Sequence, residues 1–409
     1  MWRRAGGDTQ GHRFEKRSKS IHFLTQGFNP GALNKTAMSD KQITVVIVGM
    51  GFGKEFIPIY QSHPNIKAVG ICTRSKQTRD ELTAKFNLDP NLVFEHFEDV
   101  PKRDDVDAIH VVTPVPDHAR MTLASLNANK HTACTIPMAM TVEDCKAIVE
   151  AKRRSGKVYM MMETALYTRE FLYGLNLAQT GQLGRIQFVR GSHIQDMSME
   201  GWGEYWKGYP PMLNGTHAIS PLLKINNTIA ETVVCHGSGR LSEDLASRYG
   251  SPFAVETATF TLKGTDVVAE ATRSLFDVVR QYRESYDVYG TKMSFEWEQL
   301  QDEEHVIFDG GENASRINVP DTDELLIDPI KHFTKREKID DPNHVSFLQG
   351  AGHGGSHPHL VQEFVAAIVE GRDSAVDAAL AANYTCAGIC AHESAMKGGI
   401  RVNVPSFEE

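Results

Sequence analysis

"ITVVIVGMGFGKEFIPIY", residues 43–60, is the stretch on which the fold turns. Residues 43–48 form a continuous apolar, β-branched run, the pattern of a parallel strand buried on both faces. "GMGFGK" follows, and then a helical pattern. In such a turn Gly49 allows the tight bend and Gly51 lets the backbone approach a pyrophosphate, with helix N–H groups facing the anion. The usual third glycine is replaced by Lys54, and Gly53 stands one place early.

Working outward, "IKAVGICTR" (66–74) and "VDAIHVVTP" (106–114) read as further strands, with the helical "TRDELTAKFNL" between them. Alternating strands and helices mark a doubly wound α/β domain. Another unit runs through residues 129–163, where Thr141 and Asp144 have cap and capping-box spacing. After the second strand come Thr73 and Arg74, with no acid before Asp80. An acid there would hold an adenine ribose, whereas Arg74 suits a 2′-phosphate, so NADP is favoured over NAD.

The second half changes character. A helix is expected over about 167–179, stopped at "TGQLG". Strands are expected at 185–193, 231–236, 255–262, 267–275 and 293–297. They imply a large, mostly antiparallel sheet with one open face, a surface suited to a homodimer or homotetramer. The expected organisation is an extension (1–37), a Rossmann domain (38–162) and a substrate-binding and oligomerisation domain (163–409). The extension carries seven Lys/Arg against two acids and no apolar stretch of a signal peptide. A net charge of −9 argues against nucleic acid as a main partner, and no run approaches the roughly 20 apolar residues that cross a bilayer. A cytoplasmic location is the default expectation. The six cysteines include no CxxC pair and read as buried thiols.

Several polar groups fall where elements begin or end. Glu163 and Tyr167, four apart, have the spacing of one helix face. "HIQD" supplies His193 and Asp196, and "NGTHAI" supplies His217. A neutral histidine near a nicotinamide takes the hydroxyl proton while hydride leaves the same carbon. The glycine-rich "LQGAGHGGSHPHLVQEF" (348–364) reads as a substrate-covering loop entering a helix, with His353 reaching the pocket. Its three histidines lack zinc-site spacing, and no metal is expected.

Together, "GMGFG", "VDAIHVVTPVPDHA", "TIPMAMTVEDC", "GQLGRI", "NGTHAI" and "AANYTCAGICAHESAMKGG" resemble the glucose-fructose oxidoreductase / inositol dehydrogenase (Gfo/Idh/MocA) family, from about Ile43 to the C-terminus. The resemblance implies a Rossmann domain, an open-faced α/β domain, frequent dimers or tetramers, and redox chemistry at sugar or cyclitol carbons. It places cofactor contacts at Gly49, Gly51, Phe52, Gly53, Thr73, Arg74, Thr113, Pro114, His118 and Pro137. Where most members carry Glu-Lys-Pro, this chain has Thr135, Ile136 and Pro137, so the lysine near the reacting hydroxyl is absent. Leu213 replaces the usual aspartate four residues before His217.

A branch with similar departures, the NAD-dependent glycosidases resembling α-N-acetylgalactosaminidases, is echoed by Glu163, Tyr167, His193, Asp196, Thr216, His217 and His353. Such enzymes oxidise a sugar 3-hydroxyl, eliminate the aglycone, add water and return the hydride. That resemblance casts Tyr167 as base at C2 and His217 as helper of the oxidation. The extra histidines and the missing acid after the second strand depart from that branch. The expectation is therefore an NAD(P)-dependent sugar or cyclitol oxidoreductase, with the glycosidase and a non-catalytic sensor as alternatives.

Overall fold

The computed structural model describes residues 40–408, apart from 199–200, 281, 301–302, 311–313 and 335–351. The basic stretch 1–37 and the start of the glycine-rich segment lie outside them. β1 (Ile43–Val48), β2 (Ile66–Cys72), β3 (Val93–Phe94), β4 (Ala108–Val111), β5 (His131–Thr135) and β6 (Tyr159–Met162) form one sheet in the order 3-2-1-4-5-6. Every pairing in it is parallel. All six residues of β1 are buried, as expected of a central strand with helices on both faces. The strand order reverses between β1 and β4, so the loops leaving their C-terminal ends splay apart and open a crevice.

Local signals set the connections. Ser75 accepts from Thr78 N–H at 3.2 Å and starts the helix Lys76–Phe86. Thr141 accepts from Asp144 N–H at 3.1 Å and starts Val142–Ser155, which Gly156 ends at φ 63°. Residues 169–179 form the next helix, capped by Thr168, whose hydroxyl accepts from Phe171 N–H. The expected start near 167 therefore shifts by two residues. Glu163 instead caps a single 3-10 turn, Thr164–Leu166, and the two residues do not share a helix face.

The second sheet comprises β7 (Ile186–Gln195), β8 (Ala230–Arg240), β9 (Phe253–Leu262), β10 (Val268–Ser274), β11 (Tyr282–Gly290), β12 (Ser294–Glu296), β13 (His305–Phe308), β14 (Ala314–Ile317) and β15 (Val402–Asn403). Their order is 14-13-12-11-7-10-9-8-15, antiparallel except where β7 meets β10. The helices Thr216–Ile225 and Ala378–Met396 pack on one face and share its core. The other face is mixed: Thr232 meets Thr261, Thr257 meets Thr272 and Arg190 meets Glu270, beside a row of Val268, Phe188 and Tyr289. The six cysteines are free and buried. No helix among the described residues is long and apolar enough to cross a membrane.

Candidate functional site

At the β1–β4 crevice the chain leaves β1 through Gly49, at φ 95°. A Cβ here would lie 2.3 Å from the Val112 carbonyl oxygen, so both the dihedral and the space demand glycine. Gly51 faces open space, whereas a Cβ on Gly53 would meet Ile47 at 3.0 Å and Met50 at 3.2 Å. Gly53 thus serves the close packing of helix on strand that the missing third glycine would serve. An exposed glycine beside a kinked one at a strand end fits a dinucleotide's pyrophosphate.

Gly49, Gly51, Phe52, Thr113, Pro114 and His118 line a cleft of about 440 Å³ together with His193, His217, Tyr282, His353 and His357. Pro137 stands behind it: its carbonyl oxygen accepts from His118 Nδ1 at 2.7 Å, and the Thr113 carbonyl accepts from Nε2 at 2.8 Å. Two carbonyl acceptors on one ring require both nitrogens to donate, which makes His118 an imidazolium. Burial opposes that charge, but contact with Cys134 and the two carbonyls raises the pKa to about 9. Thr73 and Arg74 line an adjoining cleft of about 390 Å³, which also touches Gly49, Thr113 and Pro114.

The chemistry gathers around His217, at the start of the helix Thr216–Ile225. Its Nδ1 lies 2.5 Å from Glu163 Oε1 and 3.7 Å from Glu284 Oε1. Burial pushes the imidazole down, but the two carboxylates outweigh it and the net shift is upward. Tyr282 donates to Glu284 Oε2 at 2.5 Å. Burial pushes Glu284 up, against the pull of His217 and the Tyr282 hydroxyl. The Glu163, His217 and Glu284 donor atoms all lie within 4.8 Å of one another. The 2.5 Å contact is a hydrogen-bond separation.

His193 stands beside this group, its ring 5.0 Å from that of His217 and 5.4 Å from that of Tyr282. Neither of its nitrogens has a partner among the described residues, and burial holds its pKa well below the ordinary value. Behind it Arg273 is wholly buried and donates to Asn214 O and Oδ1, His193 O, Ser274 O and Gln195 Oε1. That fan of bonds ties β7, β10 and the turn before His217 into one rigid floor.

Two expected site residues lie elsewhere. Tyr167 is turned from the cleft: it is buried near the His359 ring, and a separate cavity with Phe171, Leu175 and Lys224 touches it. The helix starts at Arg169, after the Thr168 cap, so Tyr167 lies outside it, and a role for Tyr167 as base at the cleft loses its geometric support. Asp196 accepts from Ser198 N–H and Oγ and does not line the cleft, where Gln195 does. His359 bonds Thr322 Oγ1 at 2.8 Å. Tyr282, Glu284 and Arg273 were missing from the sequence reading, and His357 entered it only as one of three histidines without zinc-site spacing. The alternation Tyr282, Glu284, Tyr286, Val288 was the signal that could have revealed β11.

Residues 43–163 match the family model described as "Oxidoreductase family, NAD-binding Rossmann fold" (GFO_IDH_MocA). Among curated relatives, a "Glycosyl hydrolase family 109 protein" of Shewanella baltica (strain OS195) is 31% identical over 146 residues, 32% of this chain and 31% of the relative. One of Porphyromonas gingivalis (strain ATCC BAA-308 / W83) is 27% identical over 184 residues, 43% of this chain and 39% of the relative. The chain thus matches well under half the length of these relatives. Among solved structures, levoglucosan dehydrogenase in complex with NADH superposes with TM-score 0.70 at 19% identity, covering 90% of this chain and 100% of that one. Scyllo-inositol dehydrogenase from Lactobacillus casei, with bound NAD(H) and scyllo-inositol, gives 0.67 at 19% identity, covering 89% and 99%. These likenesses establish the two-domain fold. Residues 43–163 thus carry the NAD-binding Rossmann fold that the Gfo/Idh/MocA oxidoreductase family model describes.

Proposed function

We propose that this protein is an NAD(P)-dependent oxidoreductase acting on a hydroxyl-bearing carbon of a sugar, sugar derivative or cyclitol. The observation carrying this reading is that His217, polarised by buried Glu163, lines the same cleft as Gly49 and Gly51. The nicotinamide cofactor would supply the hydride acceptor or donor. Gly49, Gly51, Thr113 and Pro114 would hold it, and His217 Nε2 would exchange the hydroxyl proton, because Nδ1 is committed to Glu163. With Ile136 where relatives place lysine, His217 and its two carboxylates carry the proton chemistry. Tyr282 and His193 complete the wall that orients the substrate.

NADP is the proposed cofactor. In the adenosine-side cleft Arg120 is engaged by Glu98 at 3.0 Å and Asp117 at 3.1 Å, and Glu95 is engaged by Arg79 at 2.8 Å. Arg74 has no such carboxylate partner among the described residues, which leaves its guanidinium for a 2′-phosphate. The open face of the second sheet, with Val268, Phe188 and Tyr289 among its polar residues, supports assembly with further copies of the chain, which light scattering of the purified protein would test.

A second reading is a redox-assisted glycosidase. It is favoured by His353 on the same cleft wall as His217, a second group for proton exchange, and by the curated relatives' names. One experiment separates the two: the protein is incubated with polyols, sugars and chromogenic glycosides, with and without NAD or NADP. Stoichiometric reduced cofactor without aglycone release supports the dehydrogenase, and aglycone release without net reduction overturns it. A protein that binds cofactor but turns over none of these compounds counts against both.

A further inference from the structure

The helix Gly352–Glu370 begins abnormally. His353 (φ 45°, ψ 60°), Gly354 (φ 64°) and Gly355 (φ 86°) are left-handed in succession. For the two glycines this costs little, but for a histidine it is of order 1–3 kcal/mol, which persists only where surroundings fix the residue.

The surroundings are specific. His353 Nδ1 lies 2.9 Å from His357 Nε2. The His357 ring is buried and stacks on Phe56, centroids 4.4 Å apart. Its other nitrogen, Nδ1, lies 3.5 Å from Glu55 Oε2. Glu55 and Phe56 belong to the turn Lys54–Phe56, which directly follows the Gly49–Gly53 loop. The chain from carboxylate to cleft therefore runs Glu55, His357, His353.

Tautomers follow from that order. Burial keeps both rings neutral, with His357 pushed down to about 3 and His353 well below its ordinary value. Each ring then has one donor and one acceptor. The Glu55 carboxylate attracts an N–H dipole and repels a lone pair, which puts the His357 proton on Nδ1 and leaves Nε2 an acceptor. His353 Nδ1 must then donate to it. Nε2, the remaining nitrogen of this cleft-lining ring, keeps its lone pair.

We propose that Glu55 and His357 are positioning residues that lock His353 into the Nδ1–H tautomer and so present a proton acceptor to a ligand hydroxyl in the cleft. The geometry stands by itself, while the word hydroxyl rests on the function proposed above.

Histidine-selective ¹⁵N labelling of the full chain, with long-range ¹H–¹⁵N spectra, reads the tautomers without substrate. His353→Asn and His357→Asn assign the two rings. In the wild type both are expected as single Nδ1–H tautomers from pH 6 to 8. Glu55→Ala is expected to lose that selection and give mixed tautomers for both rings, and Glu55→Asp to retain it. A wild-type His357 protonated on Nε2, or Glu55→Ala leaving both tautomers unchanged, overturns the proposal. Absence of turnover on the polyol and glycoside panel with these tautomers intact would count against the proposed function and leave the acceptor geometry standing.

Discussion

Substituting Glu163 with glutamine tests the electrostatic core of the site. The change keeps the size of the side chain and removes one carboxylate charge, 2.5 Å from His217 Nδ1. An opposite charge within about 4–6 Å moves a pKa by roughly 1–3 units, and this pair is buried, with little solvent to screen it. Glu284, at 3.7 Å, remains as weaker support against the burial that drives His217 down. The His217 midpoint should therefore fall by about 1–3 units, a loss of about 1.4–4 kcal/mol of preference for the imidazolium. The assay is an NMR titration of histidine ring protons in wild type and Glu163→Gln, with His217→Asn supplying the assignment. The sign for stability follows from linkage. His217 binds its proton more tightly folded than unfolded, so its contribution is fully present below about pH 6.5 and is lost as pH rises through the raised folded value. In Glu163→Gln that contribution should shrink or reverse. Equal midpoints in the two proteins would refute the reasoning, as would a wild-type midpoint below the ordinary histidine value.

Gly51→Ala should fold with near-normal stability, because its Cβ enters open space, yet weaken cofactor binding at least about tenfold by fluorescence titration, whereas Gly49→Ala, pressed against Val112, should also lower the urea midpoint. Equal behaviour of the two variants would contradict the assigned geometry. Arg74→Ala should weaken NADP binding by about tenfold and leave NAD binding within a factor of two or three, and a uniform loss would remove the 2′-phosphate assignment. Arg273→Met should destabilise the fold by at least about 3 kcal/mol in urea unfolding, since five hydrogen bonds to buried oxygens are lost. A change under about 1 kcal/mol would show that the floor tolerates rearrangement.

The first sheet was legible because its signals are local. β1 is a continuous apolar run, and the chain punctuates its helices with residues such as Thr141 and Gly156. The second sheet was legible only where one face is apolar. The expected strands at 185–193, 231–236, 255–262, 267–275 and 293–297 correspond to β7, β8, β9, β10 and β12, whereas β11 reads "YRESYDVYG" and hides its buried side among charges. Glu284 and Tyr282 were missed for that reason. Arg273 was invisible because its partners are mostly backbone carbonyls and amide oxygens brought together by the fold. Tyr167 failed differently: four-residue spacing places two side chains on one face only within a helix, and the Thr168 cap starts the helix after it.

Charge balance gives His217 its special place among these residues. With both Glu163 and Glu284 ionised and Arg273 charged, a protonated His217 brings the buried group to zero, and burial, which pushes Glu284 toward its neutral form, is the competing way to shed a charge. A neutral His217 leaves one uncompensated negative charge, which a low-dielectric interior disfavours. The proton on His217 is thus held by the whole group rather than by Glu163 alone. Any positive charge brought against the cleft wall would supply the missing compensation and release that proton. On the proposed function the oxidised nicotinamide ring is such a charge and the reduced ring is not. His217 would then be freed to act as a base when a hydroxyl is to be oxidised, and would hold its proton as an acid when a carbonyl is to be reduced. On the proposed function, one histidine between two buried glutamates would then serve as base in one direction and acid in the other.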